Sequence, residues 1–220
     1  TTRVCRMSFP DLALKLRIQN LHLMLYKFAC FLVRWYYRIF FFARVNGLEN
    51  LPKEGGYAFC GNHISNNDAP LVASLVKRRM NFLSKKEACD APVLGAFLKK
   101  VGAISIDRDK KDIAAIKESL RVMKSGMGLM VFPQGTRMKE ITPESVKPGI
   151  LSMAHKVGVP VIPFGIAGKF RLWSGVKVNI GKPITVEEIG EILETEGRDE
   201  TNTKLANLLY SRIKELAEEK

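Results

Sequence analysis

An α/β fold, a mostly parallel mixed sheet flanked by helices, is predicted by three observations. From Arg44 onward, strand-like and helix-like segments alternate, the order that lays parallel strands side by side through helical crossovers. The strand segments are apolar without alternation, Gly128-Leu129-Met130-Val131-Phe132 being the clearest, as expected of strands covered on both faces. A length of 220 residues suits one such domain with a real core and an appendage. The expected division is a basic and aromatic element over 1–43 and the α/β domain over 44–220.

The first element reads as two helices. Leu12 to Tyr26 is leucine-rich with a polar stripe at Asp11, Lys15, Gln19 and His22, a helical spacing. Phe28 to Ala43 is more apolar but carries Arg34 and Arg38. A spanning helix needs about 20 apolar residues free of such charges, and no small-residue cleavage site marks a signal peptide. Residues 1–44 hold eight Lys and Arg against Asp11 alone, interleaved with aromatics. That is the composition of a helix pair lying in a membrane interface with its bases reaching lipid phosphates. Arg34, Trp35, Arg38 and Phe41 are the residues expected to meet an anionic membrane. The competing reading is an amphipathic pair packed on the core.

Beyond it, strands are expected at 56–61, 80–84, 102–106, 127–132, 159–166 and 176–180, and helices at 69–78, 91–100, 111–124, 147–156 and 202–219. The acidic stretch Glu187–Glu200 reads as a solvated connection. Val159-Pro160-Val161-Ile162-Pro163 is an apolar strand with two prolines; proline cannot donate to a ladder, so an edge or bulged strand is expected.

Composition excludes several functions. Cys5, Cys30, Cys60 and Cys89 lie far apart without a C-x-x-C pair, which argues for reduced thiols and against a disulfide framework or zinc site. Neither a P-loop, a G-x-S-x-G elbow nor a dinucleotide G-x-G-x-x-G occurs, so nucleotide cofactors and a serine hydrolase are disfavoured. The net charge of +13 raises nucleic-acid binding. More than half of that excess sits among Trp, Phe and Leu of the first helices, and no familiar nucleic-acid reading motif accompanies it.

Chemistry concentrates where strands end. Gly61-Asn62-His63-Ile64-Ser65-Asn66-Asn67-Asp68 follows the apolar Tyr57-Ala58-Phe59-Cys60. A histidine can take a proton near neutral pH, and a carboxylate on its other nitrogen fixes the tautomer. Asn66-Asn67 reads as a turn and Asp68 as a cap before Ala69-Pro70, so the chain bends Asp68 back toward His63. Taken alone, such a pair is more often structural than catalytic. Cys60 offers a rival nucleophile, but strand alternation turns it to the opposite face. Gly102 to Arg108 delivers an Asp107–Arg108 pair at a strand tip, by itself most simply a surface ion pair. Phe132-Pro133-Gln134-Gly135-Thr136-Arg137 combines a glycine for close approach, a hydroxyl and a guanidinium suited to phosphate.

These segments together resemble the glycerolipid acyltransferase family. Its blocks occur in order: N-H-x-x-x-x-D at Asn62, His63 and Asp68; G-x-x-x-I-D-R at Gly102 to Arg108; F-P-E-G-T-R at Phe132 to Arg137; and V-P-V-x-P at Val159 to Pro163. The resemblance implies acyl transfer from an acyl thioester, carried by acyl-carrier protein or coenzyme A, to the free hydroxyl of lysophosphatidic acid. It implies a His63–Asp68 general base, phosphate binding by Arg137, Thr136, Gly135 and Arg108, and supporting roles for Asn62, Gln134 and Pro163. It further implies no cofactor, no metal, and a monomeric enzyme on the cytoplasmic face of a bacterial membrane. Glycerol 3-phosphate or another lysophospholipid is the alternative acceptor, and a non-catalytic binder of anionic lipid the alternative class. Gln134 departs from the pattern by standing where the family has Glu. It keeps the acceptor but loses the charge, which is tolerable only if the side chain serves as a hydrogen-bond acceptor.

Overall fold

The computed structural model describes residues 9–76, 78–107, 112–194 and 197–219. Seven strands form one sheet: β1 (Arg44–Asn46), β2 (Tyr57–Gly61), β3 (Met80–Lys85), β4 (Ala103–Ile106), β5 (Gly128–Val131), β6 (Val161–Gly168) and β7 (Val176–Ile180). Their order is β1-β7-β6-β2-β5-β3-β4. Every neighbouring pair is parallel except β6 with β7. The helices are α1 (Phe9–Phe41), α2 (Asp68–Leu75), α3 (Lys86–Asp90), α4 (Pro92–Lys100), α5 (Ile113–Lys124), α6 (Gly149–Val157), α7 (Val186–Leu193) and α8 (Arg198–Glu218).

Alternation along β2 builds two cores. Ala58 and Cys60 face one side with Leu129, Val131 and Val161, packed by Val122, Leu151, Ile189 and Leu209 of α5 to α8. Tyr57 and Phe59 face the other with Met130, Ile162 and Phe164, packed by Tyr37 and Phe41 of α1 and Leu71 and Val72 of α2. β2 therefore lies deep in the sheet with layers on both faces. Its C-terminal end, with those of β5 and β6, forms the rim where an α/β fold places its ligands.

Three expectations change. The two predicted N-terminal helices are one continuous α1. Between Asp11 and Asn46 there is no Pro or Gly to break it, and Pro10 falls in the first turn, where proline is tolerated. The acidic stretch is not a plain connection. Val186–Leu193 is a helix capped by the Thr185 hydroxyl, which accepts the Glu188 N–H at 3.2 Å, and it buries Ile189. Finally, of the edge or bulged strand expected at 159–163, the edge alternative falls, since β2 and β7 flank β6. Its even residues serve the β2 ladder. Pro163 faces the β7 side between the Val161–Ile184 bridge and the Phe164–Ile180 pair, where the ladder is interrupted. The missing N–H falls in that gap, while the Pro163 carbonyl accepts from Gly181 at 2.9 Å. β1 and the short α3 went unpredicted.

Candidate active site

His63 stands just past β2, and a side chain that behaves as backbone sets its place. The Asn62 amide donates to the Ile166 carbonyl at 3.0 Å and accepts the Ile166 N–H at 2.7 Å, so it adds one more rung between β2 and β6. Glycine is required just before it, because a Cβ on Gly61 would lie 2.2 Å from the Phe164 ring. From this anchored point the chain turns through 64–67 into α2, whose first residue is Asp68.

The turn returns Asp68 to His63 as the sequence predicts. Asp68 Oδ2 lies 2.7 Å from His63 Nδ1. The same oxygen accepts the backbone N–H groups of Ile64 at 2.7 Å and Ser65 at 2.8 Å. The carboxylate is fully buried, and the His63 side chain retains 14% exposure. With Nδ1 engaged by Asp68, Nε2 is the nitrogen open to exchange a proton. The imidazole is braced by Phe132, stacked at 4.2 Å between centroids and 17° between planes.

The loop after β5 grips the same residue. Gln134 Oε1 accepts the His63 N–H at 2.6 Å, and the His63 carbonyl accepts the Met138 N–H at 2.9 Å. An N–H can meet only the oxygen of the amide, so Gln134 acts here as an acceptor, a role that a carboxylate shares and that does not require charge. Its buried Nε2 has no hydrogen-bond partner among the described residues. Gly135 adopts φ +69 and its N–H closes the turn on Phe132 O at 3.0 Å. Thr136 and Arg137 are exposed at the rim.

Sequence reasoning overlooked two residues. Lys147 Nζ lies 3.6 Å from where a Cβ on Gly135 would be, and its backbone N–H holds Pro133 O at 3.1 Å, so a second cation leans over the phosphate-type loop. Only the tertiary fold reveals it. Tyr37 of α1 is the other. Its hydroxyl donates to Asn67 Oδ1 at 3.2 Å, tying the N-terminal helix to the catalytic turn, and burial pushes its phenol up to about 12.

The remaining predicted residues separate. Arg108 lies outside the described residues; at the same strand tip the Asp107 N–H donates to Asp112 Oδ2 at 3.0 Å. Hydrogen bonds from Asp107 and Ala115 hold the Asp112 carboxyl below its ordinary value. Pro163 sits opposite Cys60 in the sheet. Cys60 is wholly buried in the other core and burial raises its thiol far above the ordinary range, which removes it as a nucleophile. Of the residues expected at a membrane, Trp35 and Arg38 are exposed. Phe41 is not: it packs at 7% exposure against Tyr37 and Phe170. Arg34 donates to the Ser74 carbonyl at 2.6 Å, at the C-terminal end of α2, where a cation is electrostatically favoured.

The site thus sets a buried carboxylate against a histidine beside a basic, glycine-bearing loop. Known proteins with similar sequences carry acyltransferase names. The chain is 28% identical over 179 residues to 1-acyl-sn-glycerol-3-phosphate acyltransferase of Bacillus subtilis (strain 168), covering 79% of this chain and 87% of that protein. It is 30% identical over 158 residues to the chloroplastic enzyme LPAT1 of Arabidopsis thaliana, 66% of this chain but only 44% of that longer protein. The crystal structure of the 1-acyl-sn-glycerophosphate (LPA) acyltransferase PlsC from Thermotoga maritima superposes with a TM-score of 0.60 at 25% identity, over 79% of this chain and 71% of that one. The family model described as Acyltransferase matches residues 42–167, from the end of α1 through β6 and so across both segments that enclose His63; the chain belongs to the acyltransferase family.

Proposed function

We propose that this enzyme transfers a fatty acyl group from an acyl thioester to the free hydroxyl of lysophosphatidic acid, giving phosphatidic acid. The observation that carries the reading is the 2.7 Å contact between His63 Nδ1 and a buried Asp68 oxygen already held by two backbone N–H groups. That carboxylate cannot swing away, so His63 presents Nε2 in one tautomer and one orientation. His63 takes the proton of the acceptor hydroxyl as its oxygen attacks the thioester carbonyl. When the tetrahedral intermediate collapses and the C–S bond breaks, the imidazolium returns the proton to the departing thiolate. The acceptor alcohol is itself the nucleophile, so no acyl-enzyme is needed.

Gly135, Thr136 and Arg137 hold the phosphomonoester, with Lys147 as a second cation and Arg108 as the contact that the family pattern implies. Gly135 N–H and Met138 N–H are committed to Phe132 and His63, so oxyanion stabilisation falls to other groups. The work of the N-terminal element is to keep the enzyme on the bilayer, from which both the acyl chain and the lysolipid are drawn.

A thiol-release assay tests the reaction with lysophosphatidate, with glycerol 3-phosphate, or with no acceptor, each against carrier-protein and coenzyme A thioesters. Release dependent on lysophosphatidate is expected. Release without an acceptor would make the enzyme a thioesterase, and preference for glycerol 3-phosphate would move it one acylation earlier. Arg137→Ala is expected to raise the KM for lysophosphatidate roughly tenfold or more, as loss of a charge-assisted phosphate contact does, with a smaller effect on kcat. An unchanged KM would remove Arg137 from the phosphate site.

A further inference from the structure

We infer that the loop between β6 and β7, Lys169–Gly175, is a second membrane-docking element that inserts Leu172 and Trp173 into an anionic bilayer. The inference rests on the reading of the enzyme as membrane-associated and goes beyond it, because the loop lies more than 120 residues from α1 in the chain. β6 runs parallel to β2 and β7 returns antiparallel, so the loop leaves the sheet at the rim that carries His63.

Its side chains divide by environment. Phe170 turns inward, its ring 6.3 Å from that of Tyr37 and 6.1 Å from that of Phe41. Leu172 and Trp173 turn out, 56% and 66% exposed, with Lys169 and Arg171 exposed beside them. An indole and a leucine at a tip bracketed by bases form an interfacial anchor, the apolar groups entering the acyl boundary and the cations meeting phosphates.

The exposure is built in. Among the described residues only Phe42 and Trp173 combine a side chain with positive φ, at +47 and +60, a costly conformation for bulky residues that persists only where surroundings enforce it. The Trp173 N–H donates to Phe40 O at 2.8 Å, and the Ser174 hydroxyl donates to Lys169 O at 2.6 Å and Arg171 O at 2.7 Å. The Trp173 backbone is thus tied to the end of α1 two residues before Phe42, and both strained aromatics are exposed.

Charge selects the occupant. No acidic residue occurs from Ser145 to Val186. At the same rim Arg44 of β1 is paired in register with Lys177 of β7, adding to Lys169 and Arg171. A surface of this sign with an apolar tip suits an anionic bilayer, because basic residues near it are drawn to the negative surface potential.

The chain has two tryptophans, so Trp35→Phe leaves Trp173 as sole reporter and Trp173→Phe leaves Trp35. With vesicles of phosphatidylglycerol and phosphatidylcholine, Trp173 is expected to shift to the blue and to be quenched by lipid brominated near the headgroup end of its chains. Leu172→Ser with Trp173→Ser is expected to weaken vesicle binding roughly tenfold or more, the loss of two partly inserted apolar side chains. Turnover of a dispersed short-chain lysophosphatidate and the circular dichroism spectrum stay unchanged. Quenching of Trp35 without any response of Trp173 would overturn the proposal and leave α1 as the anchor. Silence of both, with no co-sedimentation, would overturn the membrane reading itself. A response of Trp173 to an acidic acyl-carrier protein but not to vesicles would overturn the proposal in favour of protein docking.

Discussion

Asp68 and Gln134 hold His63 from two sides, and each can be tested by a substitution that separates shape from chemistry. Asp68→Asn keeps an oxygen for the Ile64 and Ser65 N–H groups but removes the negative charge that orients and stabilises the imidazolium. Activity is expected to fall about 10³–10⁴-fold, as orienting carboxylates in hydrolytic triads do, with the melting temperature nearly unchanged. Asp68→Ala also leaves those N–H groups unpaired and is expected to cost about 1–3 kcal/mol of stability by calorimetry. Equal stabilities would mean that the carboxylate does not hold the turn. At Gln134 the geometry predicts an ordering. Gln134→Glu keeps the acceptor for the His63 N–H and is expected to retain turnover within about tenfold. Gln134→Leu removes it and leaves a buried donor unpaired, costing about 1–3 kcal/mol, with a larger fall in kcat than in KM. If Glu and Leu behave alike, the acceptor role is wrong. The family pattern marks this position as unusual and an acceptor role as the one Gln can fill, but the partner is invisible in sequence because His63 is 71 residues away.

At the scale of elements, Asn62 shows how local signals and distant pairing combine. It closes β2 against β6 with hydrogen bonds in both directions to a residue 104 positions away. Asn62→Leu is isosteric but strands the Ile166 N–H and carbonyl; with about 1–3 kcal/mol for each buried group left unpaired, a loss of about 2–6 kcal/mol is expected by denaturant unfolding. A loss below about 1 kcal/mol would show that water replaces the rung. Strands β2, β5 and β6 were legible because buried strands are nearly continuous apolar runs, and β7 because Val176, Val178 and Ile180 alternate with polar residues. The placement of β6 was not: two prolines argue for an edge or a bulge, and only the ladder shows that Pro163 faces a gap between Ile180 and Ile184. α7 carried a readable signal, a T-x-x-E start at Thr185 followed by Ile189, Ile192 and Leu193 at helical spacing. Its acidic surface, solvated by construction, hid an apolar face. The single long α1 was also readable from its lack of breakers, whereas three-residue β1 gives too short a pattern to recognise.

At the scale of the whole molecule, α1 is where the proposed docking to a bilayer can be tested. Among the described residues no helix is long and apolar enough to cross a membrane. What α1 does have is an apolar stripe at Phe28, Phe31, Trp35 and Ile39, all at least half exposed and spaced at helical intervals, with Arg38 exposed beside it. The opposite face is committed to protein: Tyr37 and Phe41 lie in the core and Arg34 is bound to α2. Deleting the helix through residue 43 would therefore open the core as well as remove the exposed stripe, so substitution is the cleaner test. Phe28→Ser, Phe31→Ser and Ile39→Ser together remove apolar surface that lies outside the buried core. Each buried side chain of this size contributes about 1.5–3 kcal/mol when fully inserted. Partial insertion of three predicts at least about a hundredfold loss of co-sedimentation with phosphatidylglycerol vesicles. Raising salt from 0.1 to 1 M shortens the screening length from about 10 to about 3 Å, so it should weaken the wild type while leaving an apolar residue of binding. The triple variant keeps only Trp35 of the stripe and the loop carrying Leu172 and Trp173 as apolar contacts, so high salt should strip a larger fraction of its binding than of the wild type's. Turnover of dispersed short-chain substrate should be retained in both, because the face that carries Tyr37 to Asn67 is untouched. If the triple variant sediments as the wild type does, the stripe is not the membrane contact, and some other surface brings His63 to the lipid.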